Sequence, residues 1–332
     1  MRLLAWFLVK PMKKTLRVQS SDPILGISRM ANSARSGPAL TLVAFIVAAC
    51  GAIGGSAGAT LCPPAALVSV TVDSKTVTPV TYAVLIDRAY TGDAKRSPSY
   101  PWPQLPRTAL DTVASALPKL DLRPGDAVVG AWISHNSNDT NEIFLPFSQV
   151  KKAPTPDLPA APTAPKLPVN KLECNEYAAN VRTFNDAATA WRAQVSELQQ
   201  RAIDEDQRNI ATFISATTAA IRAAAPVQDP VGTDIFGSLA VASGVFKANP
   251  GTHKLVLFSD MTDTVGNAVR PDLAQSEIVV ALYHRDDASD QGKGQKDWET
   301  TFKALGARAP VFLPWAATTA DKLAEQLKGS AR

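Results

Sequence analysis

Four positions far apart in this 332-residue chain could together hold a hard metal cation. Asp87 and Thr91 follow the apolar run Tyr82–Ile86, Thr233 sits in the turn Gly232-Thr233-Asp234, and Asp260, in Ser259-Asp260, follows Phe258. Each stands where a strand-like segment gives way to a loop or helix. They offer two carboxylates and two hydroxyls. Such oxygen donors suit Mg²⁺ or Ca²⁺ and suit zinc or copper poorly. In an open parallel sheet, ligands sit at the carboxyl ends of the strands, so the four positions would share one rim if their strands share one sheet.

The elements that must carry them follow from hydrophobic periodicity. Tyr82–Ile86, Asp126–Ser134, Lys254–Phe258, Ile278–Tyr283 and Val311–Leu313 read as strands, mostly continuous apolar runs of the kind buried on both faces. Ile143–Phe147 reads as an edge strand, because Pro146 cannot donate to a ladder. Helices are expected from Thr108, with Asp111 as capping partner, over Asp234–Phe246, over Trp298–Leu305, and after a Thr318/Asp321 cap. Strands alternating with helices require crossovers, and so a doubly wound, mostly parallel, Rossmann-like α/β sheet covered on both sides.

One stretch breaks the alternation. Residues 152–169 carry six prolines, a stiff extended connector. Residues 171–224 then contain no Gly or Pro, and Tyr177, Val181, Phe184, Ala188, Trp191, Val195, Leu198 and Ala202 follow a heptad seam. The seam falters at Asp204-Glu205-Asp206. The reading is therefore a helical insertion over 171–205 and a bent pair of helices packed within the chain. An arm that binds a partner or oligomerises is the alternative.

With its elements in this order, the chain resembles the von Willebrand factor type A family over roughly residues 80–330. That family's metal-ion-dependent adhesion site uses Asp-x-Ser-x-Ser after the first strand, a Thr before a middle helix and an Asp after the fourth strand. Asp87-Arg88-Ala89-Tyr90-Thr91 matches at Asp87 and, by a hydroxyl swap, at Thr91. Thr233 and Asp260 match the other two elements. Ala89 stands where the family has a coordinating Ser, and Met261 where a Gly often follows the third element. The resemblance implies a protein ligand whose carboxylate completes the metal's coordination, with no turnover. A site emptied by the loss at Ala89, its acids capping helices, is the other outcome. Asp93, Asp234 and Asp263 lie nearby in the chain and read as ordinary surface acids.

The N-terminus reads as an address. Seven of the 34 Lys and Arg residues but only one of the 30 acids fall in residues 1–49, leaving 27 basic and 29 acidic residues beyond. The remainder makes no electrostatic case for nucleic acid. Residues 39–49 form an uncharged apolar run preceded by Arg29 and Arg35. It is shorter than the roughly 20 residues a spanning helix needs and suits the apolar region of a secretory signal. Val47-Ala48-Ala49-Cys50-Gly51 resembles the lipobox of bacterial lipoproteins, whose cysteine becomes the lipid-bearing N-terminus. An uncleaved signal anchor reaching to about residue 58 is the alternative, and Met30 is a second possible start. Either way the expectation is export to a cell envelope with a membrane tether at 1–49, a flexible segment at 50–65, and the α/β domain from 66 to 330.

Cys62 and Cys174 then remain as an even pair, matching one disulfide in an oxidising compartment, or two unrelated thiols. No nucleophile–base set is evident. Gly54–Gly58 satisfies Gly-x-Ser-x-Gly but lacks the strand and helix that motif needs. His135, His253 and His284 have no neighbours at zinc spacing. The expected roles are a tethered binding protein or, as alternative, an assembly component of an envelope complex working through the 171–224 helices.

Overall fold

In the computed structural model the described residues are 62, 66–72, 77–88, 104–226, 232–266, 269–283 and 288–328, all within one compact unit, 46–332. Six strands form one sheet: β1 (Val80–Asp87), β2 (Ala127–Ile133), β3 (Ile143–Gln149), β4 (Thr252–Phe258), β5 (Glu277–Tyr283) and β6 (Val311–Pro314). Their order is β3-β2-β1-β4-β5-β6, parallel except for the antiparallel edge strand β3. The helices are α1 (Leu105–Ala116), α2 (Cys174–Ala223), α3 (Ile235–Ala248), α4 (Ala288–Ala304) and α5 (Ala320–Lys328). The fold is a doubly wound α/β sheet with a long helical insertion.

The period-2 alternation of side chains splits the core in two. Tyr82, Val84 and Ile86 of β1 point to one face, packing with Leu110 and Val113 of α1, Phe213 and Ile221 of α2 and Leu323 of α5. Ala83 and Leu85 point to the other, against Leu239 and Phe246 of α3 and Phe302 of α4. Every residue of β1 and β2 is buried, so neither face is spare.

Residues 171–224 do not fold back. Cys174–Ala223 form one uninterrupted helix of 50 residues, α2, about 75 Å long at 1.5 Å per residue. Asp204-Glu205-Asp206 does not bend it, because each acid has a partner. Gln200 Nε2 donates to Asp204 at 2.8 Å and Arg208 Nη2 to Glu205 at 2.7 Å, both at helical spacing. The Asp206 carboxylate accepts the amide of Ala153 at 2.6 Å.

Three helix starts also differ from expectation. Helix α1 begins at Leu105 with Pro in its first turn, where a missing N–H costs nothing, and Asp111 pairs with Arg107 at 2.7 Å instead of capping. At α5 the Thr319 hydroxyl accepts from the Lys322 amide at 3.2 Å, while the Thr318 hydroxyl faces Leu313 O and Pro314 O. Helix α4 starts at Ala288, well before Trp298.

The two ends of α2 lie at different levels of the molecule. Arg107, in the first turn of α1, donates to the carbonyl of Arg222 at 3.1 Å. Helix α1 follows β1, so this end of α2 stands at the carboxyl edge of the sheet. Strand β3 runs back to the opposite edge, where Gln149 pairs with Ala127, the first residue of β2, and from there the chain reaches Asp206 through Ala153. Residues 206–223 thus span the height of the sheet. The preceding part, Cys174 to Asp206, extends about 48 Å beyond its amino edge.

That extension is covered by the chain's own extended segments. The Pro-rich stretch descends along it: Trp191 Nε1 donates to Pro159 O at 2.8 Å, and the Val169 amide to Glu173 at 2.9 Å. Residues 66–69 ascend beside it. Asn185 bonds Ala66 O at 2.9 Å and the Val68 amide at 3.0 Å, and Arg192 Nε donates to Ser69 O at 2.8 Å. The seam residues Val181, Phe184, Ala188, Trp191 and Val195 are buried here, and none of them joins either sheet core. A disulfide joins Cys62 to Cys174 at the far end of the helix, closing a separation of 112 residues. The lipobox with Cys50 falls outside the described residues.

Candidate functional site

The sheet order places its topological switch between β1 and β4: from β1 the chain winds one way through β2 and from β4 the other way through β5. Loops diverge at such a point and leave a crevice at the carboxyl ends of the strands. Asp87 is the last residue of β1, and Ser259 and Asp260 directly follow β4. Ile86 pairs with Phe258 across the two strands, which brings Asp87 beside Ser259.

Asp87 is 5% exposed and is held from two sides. Ser259 Oγ donates to Asp87 Oδ2 at 2.8 Å, and Thr233 Oγ1 meets Asp87 Oδ1 at 3.4 Å. The second contact is long for a hydroxyl–carboxylate hydrogen bond, whose usual length is about 2.7 Å. Thr233 is fully buried. Its loop is clamped to the one after β4 by a reciprocal pair: the Thr233 amide donates to Thr264 Oγ1 at 2.8 Å and the Thr264 amide to Thr233 O at 3.0 Å. Gly232 is needed for that approach, since a Cβ there would lie 2.8 Å from Thr264 Oγ1.

Asp260 is 7% exposed, and its Oδ1 accepts the Thr262 amide at 2.8 Å. Met261 between them takes φ +63°, the left-handed region that side chains adopt at a cost of roughly 1–2 kcal/mol. A glycine would take that φ without the cost. This chain fixes the conformation instead. The Met261 amide donates to Ser259 Oγ at 2.9 Å, Trp298 Nε1 donates to Met261 O at 2.9 Å, and the side chain is buried.

Asp234 is not a surface acid. It is 2% exposed, and its Oδ1 accepts the Gly237 amide at 2.7 Å as the N-cap of α3. Its own amide and carbonyl are held by Ser134 O and Ser137 Oγ at 2.8 and 2.9 Å, tying the end of β2 to the same loop. Asp263 accepts the Val265 and Gly266 amides in a local turn. Beside Asp87, Arg88 pairs with Glu142 at 2.5 Å, a largely buried pair that neutralises its own charge. Of the histidines, His135 is exposed and His253 stacks on Phe246 with ring centroids 4.5 Å apart. His284, Ala89, Thr91 and Asp93 fall outside the described residues.

Asp87 and Thr233, 146 positions apart, therefore touch, and Asp260 follows on the adjoining strand. Ser259 was placed with Asp260 at the end of its strand but without its bond to Asp87, and Thr264, Ser134 and Ser137 were not marked by the sequence. Each is a hydroxyl whose role depends on a partner in another loop, which no local pattern records. Among the described residues no group of three or more His, Cys, Asp or Glu could hold a metal ion. Asp87, Thr233 and Asp260 are nonetheless oxygen donors of the type a hard cation takes. In donor type the set fits Mg²⁺ or Ca²⁺.

No family model matches the chain, and no curated protein matches it either. Among solved structures it is similar to a von Willebrand factor type A protein from Catenulispora acidiphila, at 11% identity and TM-score 0.38, over 75% of this chain and 42% of that one. It is also similar to the pilus adhesin SpaC from Lactobacillus rhamnosus GG, at 11% identity and TM-score 0.36, over 76% and 30%. A third is the type V pili tip protein Mfa5 from Porphyromonas gingivalis, at 14% identity and TM-score 0.26, over 60% and 23%. The chain spans less than half the length of each of these solved chains.

Proposed function

We propose that this chain is a membrane-tethered, extracytoplasmic binding protein that engages a protein partner at the carboxyl rim of its sheet, with a divalent cation and without turnover. One observation carries the reading: the Asp87 carboxylate and the Thr233 hydroxyl meet at the switch point, 3.4 Å apart, with Ser259 and Asp260 arriving from the adjoining strand. Asp87, Thr233 and Asp260 would hold Mg²⁺ or Ca²⁺, with Thr91 as a fourth donor. The cation, when bound, supplies a Lewis-acidic point that attracts a partner's carboxylate.

The chain's own groups do the positioning. Ser259 orients Asp87, Thr264 fixes the backbone of Thr233, and the Thr262 amide holds one oxygen of Asp260. The tether rests on the apolar run 39–49 and the Cys50 motif. No helix among the described residues is long and apolar enough to cross a membrane. The assembly role through residues 171–224 has less support, because Val181, Phe184, Ala188, Trp191 and Val195 of the seam that would mediate it are buried within this chain.

The test is a photo-crosslinking amino acid at Val265, 44% exposed beside the rim, in the full chain on intact cell envelopes. The reading expects a protein adduct that disappears with a chelator and in Asp260→Ala. Adducts indifferent to both would overturn it.

A further inference from the structure

The end of α2 remote from the sheet carries the most exposed large apolar side chains of the described residues: Leu172 at 93%, Val169 at 79% and Leu167 at 78% exposure. Along α2, Val181, Phe184, Ala188, Trp191 and Val195 of the apolar seam are buried. These three cluster where the Pro-rich segment turns into the helix, with Lys166 and Lys171 beside them in the chain. Of the two acids at this end, Glu173 accepts from the Val169 amide and from Asn170 Nδ2, at 2.9 and 2.5 Å, and Glu176 lies exposed in the first turn of α2.

This end is also where the N-terminal chain arrives. The disulfide fixes residue 62 to Cys174, the first residue of α2. Cys62 lies twelve positions after Cys50, a reach of at most about 40 Å when fully extended. The rim with Asp87 and Thr233 belongs to the other end of the same helix. Helix α2 ends at Ala223 and Thr233 follows ten positions later. Ten residues reach at most about 35 Å, against a helix of about 75 Å.

We infer that the Cys174 end of α2 is a foot that rests on a lipid surface, with Leu167, Val169 and Leu172 entering the head-group region and Lys166 and Lys171 meeting lipid phosphates. The inference rests on the membrane-tether reading and adds what the tether alone does not give, a defined stand-off. Apolar side chains next to lysines suit the membrane interface, where the aliphatic part enters the acyl boundary and the ammonium stays in water. Basic residues there also gain from anionic lipid. The outer half of α2, flanked by two extended segments, then acts as a strut between the membrane and the sheet.

The test uses the full chain on vesicles of phosphatidylcholine and phosphatidylglycerol that contain a head-group fluorescence quencher. An environment-sensitive fluorescent amino acid is placed at Leu172 or, as the distant reporter, at Val265, so that Cys50 and the Cys62–Cys174 disulfide are left as they are. The foot predicts loss of most emission at position 172, little at 265, and recovery at 172 when Leu167 and Val169 are both changed to Asp. Vesicle-bound protein with equal quenching at the two positions would overturn the foot and leave the tether standing. Protein that does not float with the vesicles would overturn both.

Discussion

The sheet and the outer half of α2 are stabilised in different ways. In the sheet, β1 and β2 are buried along their whole length, between two separate apolar cores. The outer half of α2 has one buried seam, two extended segments bonded to it at a few points, and a disulfide at its end. The sheet can hold side chains from distant parts of the chain in a fixed arrangement. The strut fixes distance and direction, for which one seam and a covalent closure suffice. Regions with so little shared packing are expected to open separately.

The largest expected effect breaks the sheet alone. Phe258→Ala removes a fully buried ring from β4 and should cost about 3–5 kcal/mol, read as a lower denaturant midpoint. Opening the disulfide with Cys62→Ser and Cys174→Ser should cost about 2–5 kcal/mol, taken from the strut. Hydrogen exchange would then accelerate over residues 181–195 while β1 and β4 keep their protection. Equal acceleration in both regions would show that the two open as one.

Smaller changes sharpen the contrast at the rim. Gly232→Ala drives a Cβ against Thr264 Oγ1 and should cost about 1–3 kcal/mol, with a weaker response to divalent cation in a thermal melt. Asp234→Ala removes the α3 cap and should cost about 1 kcal/mol, while the response to cation survives. If Asp234→Ala abolished that response, Asp234 would belong with the donors.

Much of the sheet was legible because continuous apolar runs such as Tyr82–Ile86 and Lys254–Phe258 leave few alternatives to a buried strand. Asp87, Thr233 and Asp260 could be singled out since each ends or follows such a run, or opens the helix after one. Thr264 could not, and neither could the bond from Ser259 to Asp87, because a hydroxyl's partner in another loop leaves no periodic trace. The single long helix was obscured by Asp204-Glu205-Asp206, whose side chains find partners at helical spacing and on Ala153. At α1, Pro106 hides the true start from a reading of periodicity, since a proline reads as loop until its place in the first turn is known.

The most direct test of the account is a calorimetric melt of the purified full chain, with Mg²⁺ or Ca²⁺ and then with chelator, alongside Asp260→Ala. Cation at about 100 times its dissociation constant should stabilise the protein by about 2.7 kcal/mol, reversibly, with the shift absent in Asp260→Ala. A melting temperature that is the same with cation and with chelator, or a cation shift that persists undiminished in Asp260→Ala, would contradict it.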